Sequence, residues 1–208
     1  GQFTADNRPG LISDDGRIWT GGLVGRMHPD GSGLRILAHN FRNNYEAAAD
    51  AFGDIFVSDN DDDGNRSCRT VAIVDGGNYG YFSADASRFW TADRRPDQET
   101  QAAHWHQADP GVMPAGTING GGGPTGVTVY EHDFFLDLEG TVLDADAGRS
   151  LVFTHKPVIR GSALELDAGV LIQPAYEKAG DRGHWFRPSD VAVAPDGSIF
   201  VADWYDPG

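Results

Sequence analysis

The amino-acid sequence predicts an all-β fold, and within that class a β-propeller. The first ground is a hairpin phrase that recurs along the chain. It stands at Ser13-Asp-Asp-Gly-Arg-Ile-Trp-Thr20, at Asp50-Ala-Phe-Gly-Asp-Ile-Phe-Val57, in degenerate form at Glu131-His-Asp-Phe-Phe-Leu136, and at Ala194-Pro-Asp-Gly-Ser-Ile-Phe-Val201. The second ground is a repeated lead-in strand: Glu46-Ala-Ala-Ala49, Gly126-Val-Thr-Val129 and Asp190-Val-Ala-Val193. The third is spacing. Turn glycines Gly16 and Gly53 stand 37 residues apart, about the length of one four-stranded blade.

The elements follow in order. Val24–Met27 and Leu34–Leu37 flank Pro29-Asp-Gly-Ser-Gly33, and Asp-Gly between alternating strands predicts a hairpin. Residues 45–60 give the next hairpin, with Ile55–Ser58 as its second strand. A polar loop covers 61–67, Val71–Val74 reads as a short strand, and Gly76–Gly80 must turn sharply. Residues 83–123 hold little regular pattern beyond a helical turn near Gln98–His104. So long an insertion points to function. Strands are then expected at Val127–Tyr130, Thr141–Leu143, Leu151–Phe153, Leu164–Leu166 and Val170–Ile172. A polar loop over 174–187 and a last hairpin follow. One domain over residues 1–208 is expected, read as a segment of a longer polypeptide.

Composition narrows the function. The 208 residues carry 31 acidic and 16 basic side chains, a net charge of −15. That balance excludes a nucleic-acid partner, which needs Lys and Arg to neutralise phosphates. It favours cations and neutral polar ligands. Cys68 stands alone, so neither an internal disulfide nor a thiolate zinc cluster can form, and no Cys-x-x-Cys-His haem attachment is present. No apolar run approaches a membrane span.

In a propeller the inner strand of each blade starts at the face where the second strand ends. The expected shared face therefore collects Arg42, Asn43, Asn44 and Glu46, then Asp59, Asn60 and Asp61, then Thr125, Arg187, Ser189, Asp190, Asp203, Trp204 and Tyr205. The opposite face receives the bland hairpin turns. Three motifs carry candidate chemistry. Asp59, Asp61, Asp63 and Gly64 form an Asp-x-Asp-x-Asp-Gly loop that could surround calcium with oxygen. It lacks the EF-hand glutamate, because Thr70 occupies that place. A solvated loop neutralised by Arg66 and Arg69 is the alternative. His104-Trp-His106 would point both imidazoles one way if extended, with Asp109 near enough to orient one. General base, transition-metal ligand and backbone-bonded loop histidine all stay open. Gly120-Gly-Gly-Gly-Pro-Thr-Gly126 lets backbone approach a ligand closely. Its carbonyls could ligate calcium or contact a flat cofactor, or the run could be a flexible connection.

The segments Arg42-Asn-Asn-Tyr-Glu46, Phe56–Arg66, Gly77-Asn-Tyr-Gly-Tyr81, His104-Trp-His106 with Asp109-Pro-Gly111, Gly123-Pro-Thr-Gly126, Trp185–Asp190 and Ala202–Gly208 resemble the propeller domain of a membrane-bound dehydrogenase family of planctomycete and verrucomicrobial bacteria. That family is itself similar to soluble quinoprotein sugar dehydrogenases. The resemblance implies a ring of about six blades, only part of it in this chain, with pyrroloquinoline quinone and calcium as cofactors. It implies a sugar or polyol substrate, an electron acceptor such as a c-type haem domain, and an exported, periplasmic or outer-membrane-side location. His104 or His106 would take the hydroxyl proton, helped by Asp109. Arg42 or Arg187 would stabilise the reduced cofactor, with Asn44, Glu46, Thr125 and Asp190 lining its site and the Gly123-Pro124 carbonyls holding calcium. Two other readings remain: a non-catalytic, calcium-stabilised carbohydrate- or partner-binding propeller, and a metal-dependent lactonase-type hydrolase.

Overall fold

The computed structural model describes residues 19, 21–62, 65–83, 90–161, 163–175 and 185–204. The hairpin phrase at 13–20 therefore lies almost wholly outside the described residues. The elements run β1 (Gly22–Arg26), β2 (Arg35–Phe41), β3 (Asn44–Ala49), β4 (Ile55–Asp59), β5 (Cys68–Ala72), β6 (Gly77–Asn78), α1 (Trp90–Asp93), α2 (Thr100–His104), β7 (Thr117–Gly120), β8 (Pro124–Tyr130), β9 (Thr141–Asp146), β10 (Leu151–Arg160), β11 (Ala163–Ile172), β12 (Pro188–Val193) and β13 (Ile199–Asp203). The fold is all-β and of the propeller class, with only short helices among the described residues.

Two copies of the recurring phrase and the separate Pro29–Gly33 hairpin use one and the same turn among the described residues. At 50–54 the Asp50 amide donates to the Asp54 carbonyl (2.9 Å) and the Gly53 amide donates back to Asp50 (3.1 Å). The same pair of bonds joins 194 to 198 and 28 to 32. The fourth residue is Gly53, Gly197 or Gly31, with φ of +92°, +83° and +85°. Only glycine adopts that conformation without cost, which is why it marks each copy. A carboxylate secures each turn: Asp50 accepts from the amides of Phe52 and Asp54, Asp196 from Ser198, and Asp30 from Ser32. The degenerate copy at 131–136 forms no such turn and leads into a short 3-10 turn at Leu136–Leu138.

The chain divides into two compact units. The first comprises residues 1–44 and 73–115. In it β1 pairs antiparallel with β2, and β6 adds to β2 in parallel. Its core holds Val24, Ala38, Phe41, Tyr79, Tyr81, Ala103 and Trp105, with Phe41 and Tyr79 stacked at 4.5 Å.

The second unit comprises residues 45–72 and 116–208. Its sheets run β3-β4-β5-β7, β11-β10-β9-β8 and β12-β13: two four-stranded blades and a two-stranded sheet. The middle sheet is packed on both faces, as a blade inside a ring must be. Val127, Val129, Val142 and Leu166 meet Phe56 of β4 on one side. Tyr130, Leu143, Ala145 and Val152 meet Val191 of β12 on the other. The period-two alternation of β9 sorts Val142 and Leu143 to opposite faces. All six of its residues are buried.

Several strands differ from their expected bounds. β5 starts at Cys68 and stops before Val74. β9 runs on through Asp144 and Asp146, which a hydrophobic pattern alone does not extend to. Leu164–Leu166 and Val170–Ile172 are one strand, β11, because the ten residues of β10 supply it with a continuous partner. Among the described residues no helix is long and apolar enough to cross a membrane.

Candidate functional site

In the second unit the inner strands β3, β8 and β12 begin at the same face and are tied together there. The Glu46 carboxylate accepts from the Val127 amide (2.9 Å), joining β3 to β8. The Thr125 hydroxyl lies 3.0 Å from the Ala145 carbonyl and 2.9 Å from that of Pro188, joining β8 to β12. Asp190 sits directly against Gly126, where a Cβ would come within 2.1 Å of its carboxylate. Arg187, just before β12, donates from its guanidinium to the Ala147 carbonyl (2.9 Å), and its amide donates to Asp203 (2.7 Å). Glu46, Thr125, Arg187 and Asp190 are thus gathered on one face of this unit.

The glycine run forms a cradle at that face. A Cβ on Gly120 would come within 2.9 Å of the Arg149 guanidinium, and one on Gly121 within 3.5 Å of Arg66. The Gly123 amide donates to Asp146 (2.8 Å), and its carbonyl accepts from Ala147 (2.9 Å). Pro124 opens β8 opposite Asp146. From sequence Arg66 is expected only to neutralise the acidic loop, and Arg149 is not singled out. Only the folded loops bring them to the glycines.

The acidic loop is committed internally. Asp59 and Arg69 are both fully buried and form an ion pair at 2.9 Å. Asp61 accepts from the Ser67 amide (2.6 Å) and from the Cys68 thiol (3.3 Å). Asp63 and Gly64 lie outside the described residues. Among the described residues no group of three or more His, Cys, Asp or Glu is placed to hold a metal. At Asp59 the arrangement present is neutralisation by Arg69 rather than an open calcium ligand. Burial pushes the Cys68 thiol up to about 12.

The neighbouring sheets are also pinned by a buried polar network absent from the sequence reading. The Thr70 hydroxyl donates to Asp144 (2.6 Å), and its oxygen accepts from Asn119 (2.8 Å). With its only hydrogen given to Asp144, it receives the Nε2 hydrogen of His155 at 3.1 Å. Thr70, Asp144 and His155 are completely buried. The one available signal was the Asp-x-Asp alternation at 144 and 146, inside what proves to be a buried strand.

In the first unit the histidine segment is not extended, so the expected alignment of its two imidazoles does not occur. His104 closes α2, is fully buried, and packs edge-on against Trp105 at 4.2 Å. His106 takes a left-handed backbone, φ +46°. Its Nδ1 lies 2.7 Å from the Gly80 carbonyl. A carbonyl only accepts, so Nδ1 carries the hydrogen and Nε2 of the neutral ring carries the lone pair. The group that orients His106 is therefore Gly80. Asp109 instead faces Arg95 at 3.6 Å. Gly80 must be glycine, because a Cβ would lie 2.2 Å from the Trp105 carbonyl. Asn78 and Asn40 hold this segment: Gly80 donates to Asn78 (3.0 Å), and Asn40 bonds Asn78 and both backbone groups of Phe82. Asn44 is anchored to β1 through the Leu23 carbonyl (3.0 Å), and Arg42 is half-buried before β3.

Similar folds occur among sugar dehydrogenases. The chain matches the soluble aldose sugar dehydrogenase of Escherichia coli in its apo form with a TM-score of 0.57 at 16% identity, over 88% of this chain and 56% of that one. It matches the PQQ-bound aldose sugar dehydrogenase of Streptomyces coelicolor with 0.53 at 17%, over 91% and 53%. A glucose dehydrogenase matches with 0.59 at 15%, over 91% and 58%. The chain thus spans little more than half the length of these structures, and at such identities the likeness is one of fold. No curated protein matches the chain in sequence. A family model covers residues 7–207, and the chain accordingly belongs to that family, DUF7133, described as a domain of unknown function.

Proposed function

We propose that this chain is the propeller segment of a longer, exported dehydrogenase that oxidises a sugar or polyol hydroxyl with a quinone and calcium. The observation that carries the reading is the tautomer of His106. A hydrogen bond to Gly80 puts the ring hydrogen on Nδ1 and the lone pair on Nε2, in a left-handed backbone conformation of the kind functional sites retain. The aldose sugar dehydrogenases of similar fold, one of them PQQ-bound, support it. So does the resemblance to the membrane-bound dehydrogenase family.

The residues fit an anionic quinone. The Gly120–Gly123 loop packs closely against Arg149, Arg66, Asp146 and Gly148, and Arg66, Arg149 and Arg187 bring positive charge to that loop or the turn beneath it. For calcium, the donors that fit are carbonyl oxygens of Gly120–Pro124. The Gly123 carbonyl accepts one hydrogen bond and keeps a second lone pair. Asp59, facing Arg69, does not fit that role. When bound, the quinone supplies the two-electron acceptor. The chain's own part is acid–base and electrostatic. His106 would be the base that takes the hydroxyl proton, as the resemblance implies. Arg187 would place positive charge beside an anionic cofactor, Arg42 being the other candidate that the resemblance offers, and Thr125, Glu46 and Asp190 hold the inner strands on the Arg187 side. His104 packs in the aromatic core of the first unit.

The test is reconstitution of the full-length protein with quinone and calcium, followed by dye reduction with a panel of aldoses and polyols. Turnover that disappears in His106→Ala is the expected result. A protein that binds no quinone and reduces no dye is not a dehydrogenase of this kind.

A further inference from the structure

We infer that Asp146 is the positioning residue of the cofactor-facing loop: one buried carboxylate fixes Gly122 and Gly123 and, through the turn it caps, the guanidinium of Arg187. This rests on the reading of Gly120–Pro124 as the cofactor-facing loop.

Asp146 ends β9 and is 1% exposed. Its Oδ1 accepts from the amides of Gly123 (2.8 Å) and Arg149 (2.9 Å). Its Oδ2 is buried without a hydrogen-bond partner among the described residues and lies where a Gly122 Cβ would be, 2.2 Å away. Gly122 is thus glycine because the carboxylate occupies its side-chain space. The turn that follows crosses the same loop. A Cβ on Gly148 would come within 2.5 Å of the Gly122 carbonyl carbon and the Gly123 nitrogen. Between these contacts Ala147 faces both ways. Its amide donates to the Gly123 carbonyl (2.9 Å), and its carbonyl accepts from Arg187 (2.9 Å).

The loop and the arginine therefore share one support, and Asp146 sets it. Among the described residues its hydrogen bonds come from amides, and the charge of Arg149 nearby adds a smaller stabilisation. Burial accordingly raises its pKa above the ordinary carboxylate value, with nearby Asp144 adding to the shift. A neutral apolar residue would fill the space at lower cost. What it could not do is hold two amides at fixed angles beneath a glycine cradle.

Three variants of the full-length protein test the role: Asp146→Ala, Gly122→Ala and Asp146→Asn. Asp146→Ala removes the acceptor, whereas Gly122→Ala displaces it from the other side. Asp146→Asn keeps the oxygen that accepts both amides. Calcium alone and quinone with calcium are titrated calorimetrically, and hydrogen exchange is followed at the amides of Gly123 and Arg149. We expect both alanine variants to lose about tenfold or more in calcium affinity, the range for residues that support a metal ligand from behind, while Asp146→Asn stays near wild type. Exchange at the two amides should quicken in Asp146→Ala, while the strands of β8 and β9 stay protected. Unchanged affinity in the alanine variants of a protein that does bind calcium overturns the role of Asp146 and leaves the dehydrogenase reading intact. So does unchanged exchange. Equal losses in Asp146→Asn and Asp146→Ala also overturn it, because charge rather than hydrogen-bonded placement would then be at work. A wild-type protein that binds neither calcium nor quinone overturns the cofactor reading, and this role with it.

Discussion

His106 and His104 are separated by one residue and have opposite fates. His104 is fully buried among Tyr81, Trp90 and Trp105. Truncating it leaves a cavity in an aromatic cluster, and His104→Ala should cost about 2–4 kcal/mol of stability, read by denaturant unfolding. His106 is buried as well and bonded to Gly80, so His106→Ala should remove turnover and also lower the denaturation midpoint. The two histidines look equivalent in sequence. What distinguishes them is the reach of Gly80 across 26 residues, a contact no local pattern reports. Cys68 shows the same limit. Its solvent accessibility is zero and its thiol is pushed to about 12, so it stays protonated through the physiological range. Native protein should be inert to thiol reagents and react only on unfolding. His39 adds a pH dependence. Burial holds its imidazole below the usual 6.5. Below that pH the unfolded chain takes up a proton that the folded ring resists. Its contribution is therefore complete above 6.5 and falls as the pH drops through that value. His39→Gln should flatten the loss of melting temperature between about pH 7 and 5.

At the scale of elements, local chemistry was readable and long-range pairing was not. Asp50 with Gly53 and Asp196 with Gly197 build hairpins from hydrogen bonds within five residues, so the phrase announced its turns from sequence. The same holds for the alternation that places Val127 and Val129 in one core and Tyr130 in the other. β9 was cut short at Leu143 because carboxylates are poor strand formers in isolation. Asp144 is tolerated there only because Thr70, 74 residues away, donates to it. Likewise the acidic loop looked like an ion site until Arg69 came to lie against Asp59. The Thr70 network lets this logic be measured. Thr70→Val keeps the shape but deprives Asp144 of its donor and Asn119 and His155 of their acceptor. All of these groups sit between two blades, so the expected cost is about 1–3 kcal/mol in chemical denaturation, more than a surface Thr→Val change. Thr70→Ser, which keeps the hydroxyl, should recover most of it.

At the scale of the whole molecule, electrostatics should dominate the response to solvent. Thirty-one acidic residues against sixteen basic ones leave −15, and self-repulsion of that size opposes compaction. Exposed charges are screened within about 8 Å at physiological ionic strength, so added sodium chloride should raise the melting temperature by a few degrees and then level off. Calcium is distinguishable from this general effect by chemistry. Screening depends on ionic strength and treats calcium and magnesium alike. Occupation of a carbonyl-lined loop favours calcium, which accepts irregular oxygen coordination, over magnesium, which demands near-ideal octahedra. Melting curves of the full-length protein in calcium and magnesium chloride at equal ionic strength should therefore separate, calcium giving the higher midpoint by an amount that grows with the logarithm of its concentration. Gly122→Ala should close that gap while leaving the response to sodium chloride untouched, since it alters the cradle and no charge. Coincident calcium and magnesium curves in the wild type would show that acidity alone, and no calcium-selective loop, governs the salt response.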